Sequence, residues 1–182
     1  MTERYTRTAI GLHWLIAVAI AATFGLGLYM HELPLSPDKL KLYSWHKWAG
    51  VTIFALVLVR LLWRLSHEPP ALPASMPRPL RLAAQAAHWV LYALMFALPL
   101  SGWLMSSAKG FQTVWFGVLP LPDLVAKDKA LGNALAQVHE LLAWTLLVLV
   151  VLHVAAALKH HFIDRDTVLT RMLPRRQPHR SA

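Results

Sequence analysis

Long apolar segments alternate with short polar ones along this chain, and the pattern is clearest in the last of them. Residues 134–159 read ALAQVHELLAWTLLVLVVLHVAAALK, and at about 1.5 Å per residue this segment is long enough to cross a bilayer. Three earlier segments share its character. The pattern therefore predicts four membrane-spanning helices, at about residues 9–30, 45–63, 83–107 and 134–158.

The segments between these spans are short. Pro34 and Pro37 predict a non-helical connection over residues 32–44, and the prolines of EPPALPASMPRP predict an extended linker after the second span. We expect the polar, basic residues after the fourth span not to pack. The four spans leave no room for a soluble domain, so residues 1–182 are predicted to form one all-α, integral membrane four-helix bundle.

Composition agrees with this reading and excludes several classes of protein. Hydrophobic residues make up 57% of the 182 residues, charged residues only 15%, and the mean hydropathy is +0.45, values outside the usual range of a soluble domain. The first span is as long as the others and carries His13, so we expect it to be retained rather than removed as a signal peptide. The lack of cysteine excludes a disulfide frame, thiolate-ligated or covalently attached haem and a cysteine-ligated iron–sulfur cluster.

The net charge of +9 is unevenly distributed between the two ends of the predicted bundle. Twelve basic and four acidic residues lie on the side of the termini, against six basic and five acidic residues on the other side. This asymmetry predicts that both termini are cytoplasmic. A basic tail such as residues 171–180 is more typical of a topology determinant or a contact with anionic lipid than of a nucleic-acid arm. We therefore expect membrane lipid, and no nucleic acid, as a partner.

Five of the ten histidines lie within or at the edges of the spans: His13, His46, His88, His139 and His153. His139 and His153 are 14 residues apart, which puts them within about 40° of one another and about 21 Å apart along one helix. By depth, His13 pairs with His153 near the inner surface and His46 pairs with His139 near the outer surface. Opposed imidazoles across a bundle are what a b-type haem requires as axial ligands, so the pattern predicts two haems b.

Other uses of these histidines remain open. Zinc or copper transport also employs intramembrane histidines, but usually with carboxylate or sulfur ligands, and Glu140 is the only carboxylate in the spans. His88 has the right depth to replace His13 as the partner of His153, or to hydrogen-bond a haem propionate or a quinone. For the remaining histidines we expect interfacial or solvated positions: His31, His67, His160, His161 and His179.

The chain resembles the bacterial cytochrome b561 family over nearly its whole length. The resemblance is carried by LHWL, WHKWAG, AHWVLYALMFALPLSGWLM, VHELLAWTLLVLVVLHVAAALKHHF and DRDTVLTRMLPRR. It implies a four-helix cytochrome of the bacterial inner membrane with two bis-histidine haems b that exchanges electrons with ubiquinone. At least one member of the family oxidises periplasmic superoxide. The implied inner ligands are His13 and His153, and the implied outer ligands are His46 and His139.

The resemblance also implies sites for the two substrates. His160 matches the KHH ending of the family and is the first candidate to contact ubiquinone, with Arg64 and His88 as further candidates for contact with quinone or a propionate. Two axial imidazoles leave iron no open position, so the remaining chemistry is outer-sphere electron transfer. Superoxide is a small anion that would be attracted by local positive potential. Lys47, beside His46, is the best-placed cation; weaker candidates are Lys39, Lys41 and Lys109.

These expectations predict a superoxide:ubiquinone oxidoreductase, a superoxide oxidase. One alternative is the cytochrome b subunit of a hydrogenase-like or formate-dehydrogenase-like complex, which would require a docked iron–sulfur partner. An alternative of another class is a haem or metal transporter, from which the cofactor would not stay bound during purification.

Overall fold

A computed structural model describes residues 4–73 and 76–174, and this part of the chain is all-helical apart from one small strand pair. Four helices are each long and apolar enough to cross a membrane: α1 (Arg7–Glu32), α2 (Pro37–Ser66), α3 (Arg78–Ala108) and α4 (Lys129–Phe162). Each predicted span lies inside one of them. The other elements are the strands β1 (Val114–Trp115) and β2 (Leu119–Pro120) and a short 3-10 helix (Thr170–Met172). We call the end where α1 begins and α4 ends the inner end.

The connection between α1 and α2 is shorter than we predicted, because α2 begins at Pro37 rather than near Trp45. The hydroxyl of Ser36 caps the helix by accepting a hydrogen bond from the backbone N–H of Lys39 at 3.2 Å. A proline in the first turn costs no hydrogen bond, since the N–H it lacks would have had no partner inside the helix. The expectation of a non-helical segment up to residue 44 was therefore wrong: Pro37 starts this helix instead of preventing it.

The helices pack in chain order. The α1–α2, α2–α3 and α3–α4 pairs are in close contact, whereas α4 approaches α1 and α2 only loosely. One buried cluster joins the first three helices through Ile16, Ile53, Val57 and Tyr92. A second cluster joins α3 to α4 through Leu91, Leu94 and Leu146. Side chains rather than backbones therefore fill the space between α4 and the α1–α2 pair.

The long connection between α3 and α4 is attached to the outer part of α2. The strands β1 and β2 form an antiparallel pair within it, an element that the sequence pattern did not predict. The indole N–H of Trp48 donates to the carbonyl of Val114 at 2.6 Å, and the indole N–H of Trp115 donates to the hydroxyl of Thr52 at 3.2 Å. These bonds satisfy polar groups that would otherwise face the bilayer.

Residues 163–174, which we call the C-terminal segment, fold back across the inner end. The indole N–H of Trp14 donates to the carbonyl of Met172 at 2.9 Å, and the guanidinium of Arg171 donates to the carbonyl of Ala71 at 2.6 Å. The expectation that residues after α4 do not pack was therefore wrong for this segment. Arg171 and the tryptophan on α1 find backbone carbonyls as partners, so polarity does not prevent docking. The rest of the predicted basic tail, and His179, lie outside the described residues.

Candidate functional site

The structure brings three imidazoles together near the inner end: His13 from α1, His88 from α3 and His153 from α4. The ring centroids of His13 and His153 are 6.3 Å apart, with the ring planes at 67°. Those of His88 and His153 are 5.5 Å apart at 71°. We call these three residues the inner imidazole cluster.

Near the outer end, His46 of α2 faces His139 of α4. Their ring centroids are 6.2 Å apart and the planes meet at 73°. The outer pair and the His13–His153 pair therefore have almost the same geometry, although they join different helices. Both pairs bridge the space that separates α4 from α1 and α2.

This spacing can be compared with that of two axial ligands. Two imidazoles that bind one metal ion from opposite sides, each through a nitrogen about 2 Å away, have ring centroids roughly 6.3 Å apart. The separations of 6.3 Å and 6.2 Å match this value, and the 5.5 Å between His88 and His153 is too short. The residues present therefore fit a haem at each depth, with His88 beside the inner pair.

The surroundings of the outer pair orient its rings. Nδ1 of His139 lies 3.1 Å from the carbonyl oxygen of Leu98 and 3.0 Å from Oγ of Ser101. Because a carbonyl only accepts hydrogen bonds, Nδ1 carries the proton and Nε2 keeps its lone pair for a metal. The ring of His46 is buried and lies within hydrogen-bonding reach of the backbone of Thr23 on α1, although Nδ1 has no partner of good geometry within the described part of the chain.

Two glycines leave room for these rings. A Cβ added at Gly27 of α1 would lie 3.2 Å from Cε1 of His46, and one added at Gly102 of α3 would lie 3.1 Å from Cε1 of His139. Sequence reasoning missed both residues. The signal that identifies them is tertiary, because each glycine opposes a histidine on another helix.

The inner end also carries two arginines of α2. The guanidinium of Arg60 donates to the carbonyl of Ala9 at 2.7 Å, so it turns into the bundle. Arg64 lies over the rings of Trp89 and Tyr92, 5.9 Å from each centroid. Both arginines line a cavity of about 370 Å³ among α1, α2 and α3. We call it the inner cavity.

His160 lies at the end of α4, seven residues beyond His153 and therefore on almost the same face, about 10 Å farther along the axis. Its Nδ1 donates to the carboxylate of Asp166 at 2.6 Å and lies 3.3 Å from that of Asp164. Lys159 pairs with Asp164 at 2.7 Å. The C-terminal segment thus fixes the ring of His160 and leaves Nε2 available.

The candidate lysines of the outer side have different environments. The ammonium of Lys47 donates to Oγ of Ser106 at 3.2 Å and to the carbonyl of Phe111 at 3.3 Å, so it joins α2 to the α3–α4 connection. Lys39 donates to carbonyls at the end of α1, and Lys41 lies over the ring of Trp45. Lys109 lines a cavity of about 290 Å³ with Lys127 and Lys129. The four candidate lysines therefore do not surround one common site.

Among the other histidines, His31 pairs with Glu32 in an exposed position, His67 stacks on Trp63 with 4.0 Å between ring centroids, and His161 lies against Phe162. None of the three contacts an imidazole pair within the described residues. His31 and His67 are exposed and His161 is half-buried.

A helical membrane bundle with opposed imidazole pairs at two depths has the architecture of a membrane-bound b-type cytochrome. The sequence pattern of the prokaryotic cytochrome b561 family matches residues 4–175, and the chain belongs to this family. It is 40% identical to cytochrome b561 homolog 2 of Escherichia coli K12 over 94% of this chain and 92% of that protein.

Two other relatives are more distant. The chain is 30% identical to the probable superoxide oxidase CybB of Yersinia pestis over 97% of this chain and 99% of that protein. It is 31% identical to cytochrome b561 homolog 1 of E. coli K12 over 96% and 99%. Membership of the family makes this chain a haem-b-binding, electron-transferring protein of the bacterial inner membrane, with several membrane-spanning helices.

Proposed function

We propose that this protein is a superoxide:ubiquinone oxidoreductase that carries electrons from the periplasmic side of the membrane to the quinone pool through two haems b. The observation that carries the proposal is the pair of matched imidazole separations, 6.3 Å and 6.2 Å, at two depths along α4. The likeness to a protein named as a probable superoxide oxidase supports superoxide as the donor.

The chain supplies one ligand pair at each depth. His13 and His153 would hold the inner haem, and His46 and His139 would hold the outer haem. With both iron positions taken by imidazoles, each haem b would supply one-electron transfer and would not bind substrate at the metal. The loose approach of α4 to α1 and α2, which imidazole side chains bridge, supports this placement.

The overall reaction balances with two superoxide ions. Each loses one electron and becomes O₂, and ubiquinone takes up both electrons and two protons to become ubiquinol. His160 hydrogen-bonds a quinone carbonyl through Nε2 and passes it a proton, while Asp166 holds Nδ1. Arg64 and His88 are further candidates for contact with quinone or a propionate.

At the donor side, Lys47 is the proposed positive charge, because it follows His46 directly in the sequence. Its hydrogen bonds to the α3–α4 connection hold the ammonium in place. Asp123 lies within electrostatic range of it, so the local potential is smaller than that of an isolated lysine. The attraction of superoxide is then a local effect at the outer haem edge.

Haem content of ligand variants tests the proposal. His139→Ala and His153→Ala each strip one axial ligand from a separate site, so each purified protein is expected to keep about one haem per chain, with a reduced α band near 560 nm. His88→Ala is the matched control, because its spacing does not fit axial ligation, and it is expected to keep both haems. Haem stoichiometry is measured as the pyridine haemochrome. Loss of the inner haem from His88→Ala with retention in His13→Ala would reverse the inner assignment.

A further inference from the structure

The inner cavity adjoins the inner imidazole cluster. Ala9, which lines it, lies one turn from His13 on the same face of α1, and Tyr92, which also lines it, lies one turn from His88 on α3. Three guanidinium groups border the same space, those of Arg4, Arg60 and Arg64. The cavity is therefore a strongly basic space directly beside the proposed inner haem site.

The carboxylate of Glu68 also lines the cavity, but it is not paired with any of these arginines within the described residues. Across residues 4–73 and 76–174, no carboxylate forms an ion pair with any of the three. The carbonyl of Ala9 and the phenol of Tyr92 engage part of the Arg60 guanidinium, which has five N–H donors and whose charge neither neutral partner balances. A charged side chain inside a membrane span is energetically costly unless a partner group offsets the charge. Arg60 therefore requires an anion that the described residues do not supply.

The position of Arg60 on α2 points to where that anion lies. Arg60 follows His46 by 14 residues, the spacing that separates His139 from His153 on α4. It therefore lies within about 40° of the face of His46 and about 21 Å farther in. Helix α2 thus presents an imidazole at the outer depth and a guanidinium at the inner depth. Arg60 is also within electrostatic range of all three imidazoles of the inner imidazole cluster.

We infer that Arg60 binds a propionate carboxylate of the haem held by His13 and His153, with Arg4 and Arg64 adding positive potential in the inner cavity. The inference rests on the proposed function, since it requires haem at the inner pair. A carboxylate matches the planar fork of a guanidinium and neutralises its charge. A neutral quinone carbonyl would accept a hydrogen bond but leave the charge unpaired.

Redox titration of the purified protein measures this contact without turnover. A positive charge beside a haem favours the reduced, more negative form, so Arg60→Gln is expected to shift the midpoint potential of the inner haem to lower values. The outer transition stays in place. Arg60→Lys keeps the charge and is expected to shift the potential less. Arg7→Gln is the matched control, because it removes the same charge from an exposed position at the start of α1. The inner transition is identified as the one missing from His153→Ala.

A second measurement separates the propionate from a general effect of the mutation on folding. Apoprotein is reconstituted with haem b dimethyl ester, which lacks the carboxylate charges. If Arg60 acts through a propionate, Arg60→Gln is expected to lower the retention of haem b at the inner site but not that of the dimethyl ester, so the two changes are non-additive. Arg60→Lys serves in the same cycle if the glutamine variant does not fold.

Several results would overturn the inference. These are an unchanged inner potential in Arg60→Gln at full haem content, or an equal loss of haem b and of its dimethyl ester from the inner site of Arg60→Gln. An unchanged potential with a raised KM for ubiquinone would also overturn it, and would assign the cavity to the quinone headgroup. If the protein binds two haems and gives any of these results, only the role of Arg60 is contradicted. If the wild-type protein lacks an inner haem, the proposed function is contradicted as well.

Discussion

At the scale of single residues, the position of the outer imidazole rings depends on the residues of neighbouring helices that contact them. A Cβ added at Gly102 would lie 3.1 Å from Cε1 and 3.3 Å from Nδ1 of His139. Contacts this short require the ring to move. The carbonyl of Leu98 and the hydroxyl of Ser101 approach the same ring from α3, so one turn of α3 sets both its position and its tautomer.

Gly102→Ala and Gly27→Ala are expected to lower the occupancy of the outer haem or to alter its spectrum, with the inner haem unchanged, because the new methyl group displaces an outer ring. Gly25→Ala is the control on α1, since within the described residues nothing lies within 4 Å of its added Cβ. On helix propensity alone, an alanine in a helix is favoured over glycine by about 0.5–1 kcal/mol. Absorbance of the reduced haems and pyridine haemochrome measure the effect. Full outer occupancy in both test variants would show that the rings are free to shift.

The charge of Lys47 is expected to raise the rate at which superoxide reduces the outer haem. Lys47→Glu should therefore slow this reduction more than Lys129→Glu, which changes the net charge equally but lies ten residues, or about 15 Å, along α4 from His139. The rate should also fall with added salt, since exposed charges are screened over about 8 Å at physiological ionic strength. Stopped-flow absorbance after a superoxide pulse provides the rate.

Because Lys47 also anchors the α3–α4 connection, Ser106→Ala is the control for lost anchoring at constant charge. Equal slowing by Lys47→Glu and Lys129→Glu would contradict local attraction. No superoxide-dependent reduction at all would favour the dehydrogenase-subunit alternative.

At the scale of elements, α4 is the helix on which both proposed haem sites depend. It supplies one imidazole to each pair, packs closely only on α3, and ends in the residues that dock with the C-terminal segment. The capping carboxylate of Asp128, which accepts the N–H of Leu131 at 3.0 Å, starts the helix five residues before the predicted span. The helix therefore continues beyond the histidines at both ends and places His160 at the inner surface.

His160→Ala is expected to slow ubiquinone reduction while leaving both haem spectra intact, because it removes the proposed hydrogen bond and proton donor without touching an axial ligand. Loss of a general acid typically costs on the order of 100-fold or more. His161→Ala is the matched control, as the neighbouring imidazole lies against Phe162 instead of Asp166. Haem reoxidation by a water-soluble ubiquinone measures the rate. Unchanged kinetics in His160→Ala would remove this residue from the quinone site.

At the scale of the whole molecule, the regions of close helix packing are separate from the region that is proposed to hold the cofactors. The three close helix pairs form the buried clusters, and the space along α4 is bridged by imidazoles. The two ends are also closed differently, by the strand pair and its aromatic contacts outside and by the C-terminal segment inside. Proposed entry of electrons at one end and exit at the other matches this division.

The charge asymmetry predicts the orientation of the bundle. Reporter fusions after Ala182 and within residues 69–79 are expected to read cytoplasmic, and one near Asp128 is expected to read periplasmic, because basic residues are retained on the cytoplasmic side. A paired set of phosphatase and fluorescent-protein fusions checks each site with opposite signals. A periplasmic signal from the C-terminus would reverse the assignment of the inner and outer haems.

Much of this architecture follows from the linear sequence, since hydrocarbon thickness requires spans of about 20 apolar residues and the helical repeat relates His139 to His153. Depth along the spans also predicted that His13 would face His153 and that His46 would face His139, because helices that cross the same bilayer bring equal depths together whether they run parallel or antiparallel. The start of α2 was mispredicted, since Pro34 and Pro37 look alike in sequence and only the second occupies a first turn capped by Ser36.

Other features were decided only by the tertiary structure. Depth alone preferred His13 as the partner of His153 but left His88 open, and the separations across the bundle, 6.3 Å and 5.5 Å from His153, support His13 in the proposed assignment. Nothing in the sequence distinguishes Gly27 and Gly102 from other glycines. Their role is visible only in the folded protein, where each lies against a histidine ring of another helix. Apolar periodicity reports which face of a helix avoids water, and it carries no information about which helix lies opposite, so the partners of Arg60 and Lys47 follow only from how the helices pack.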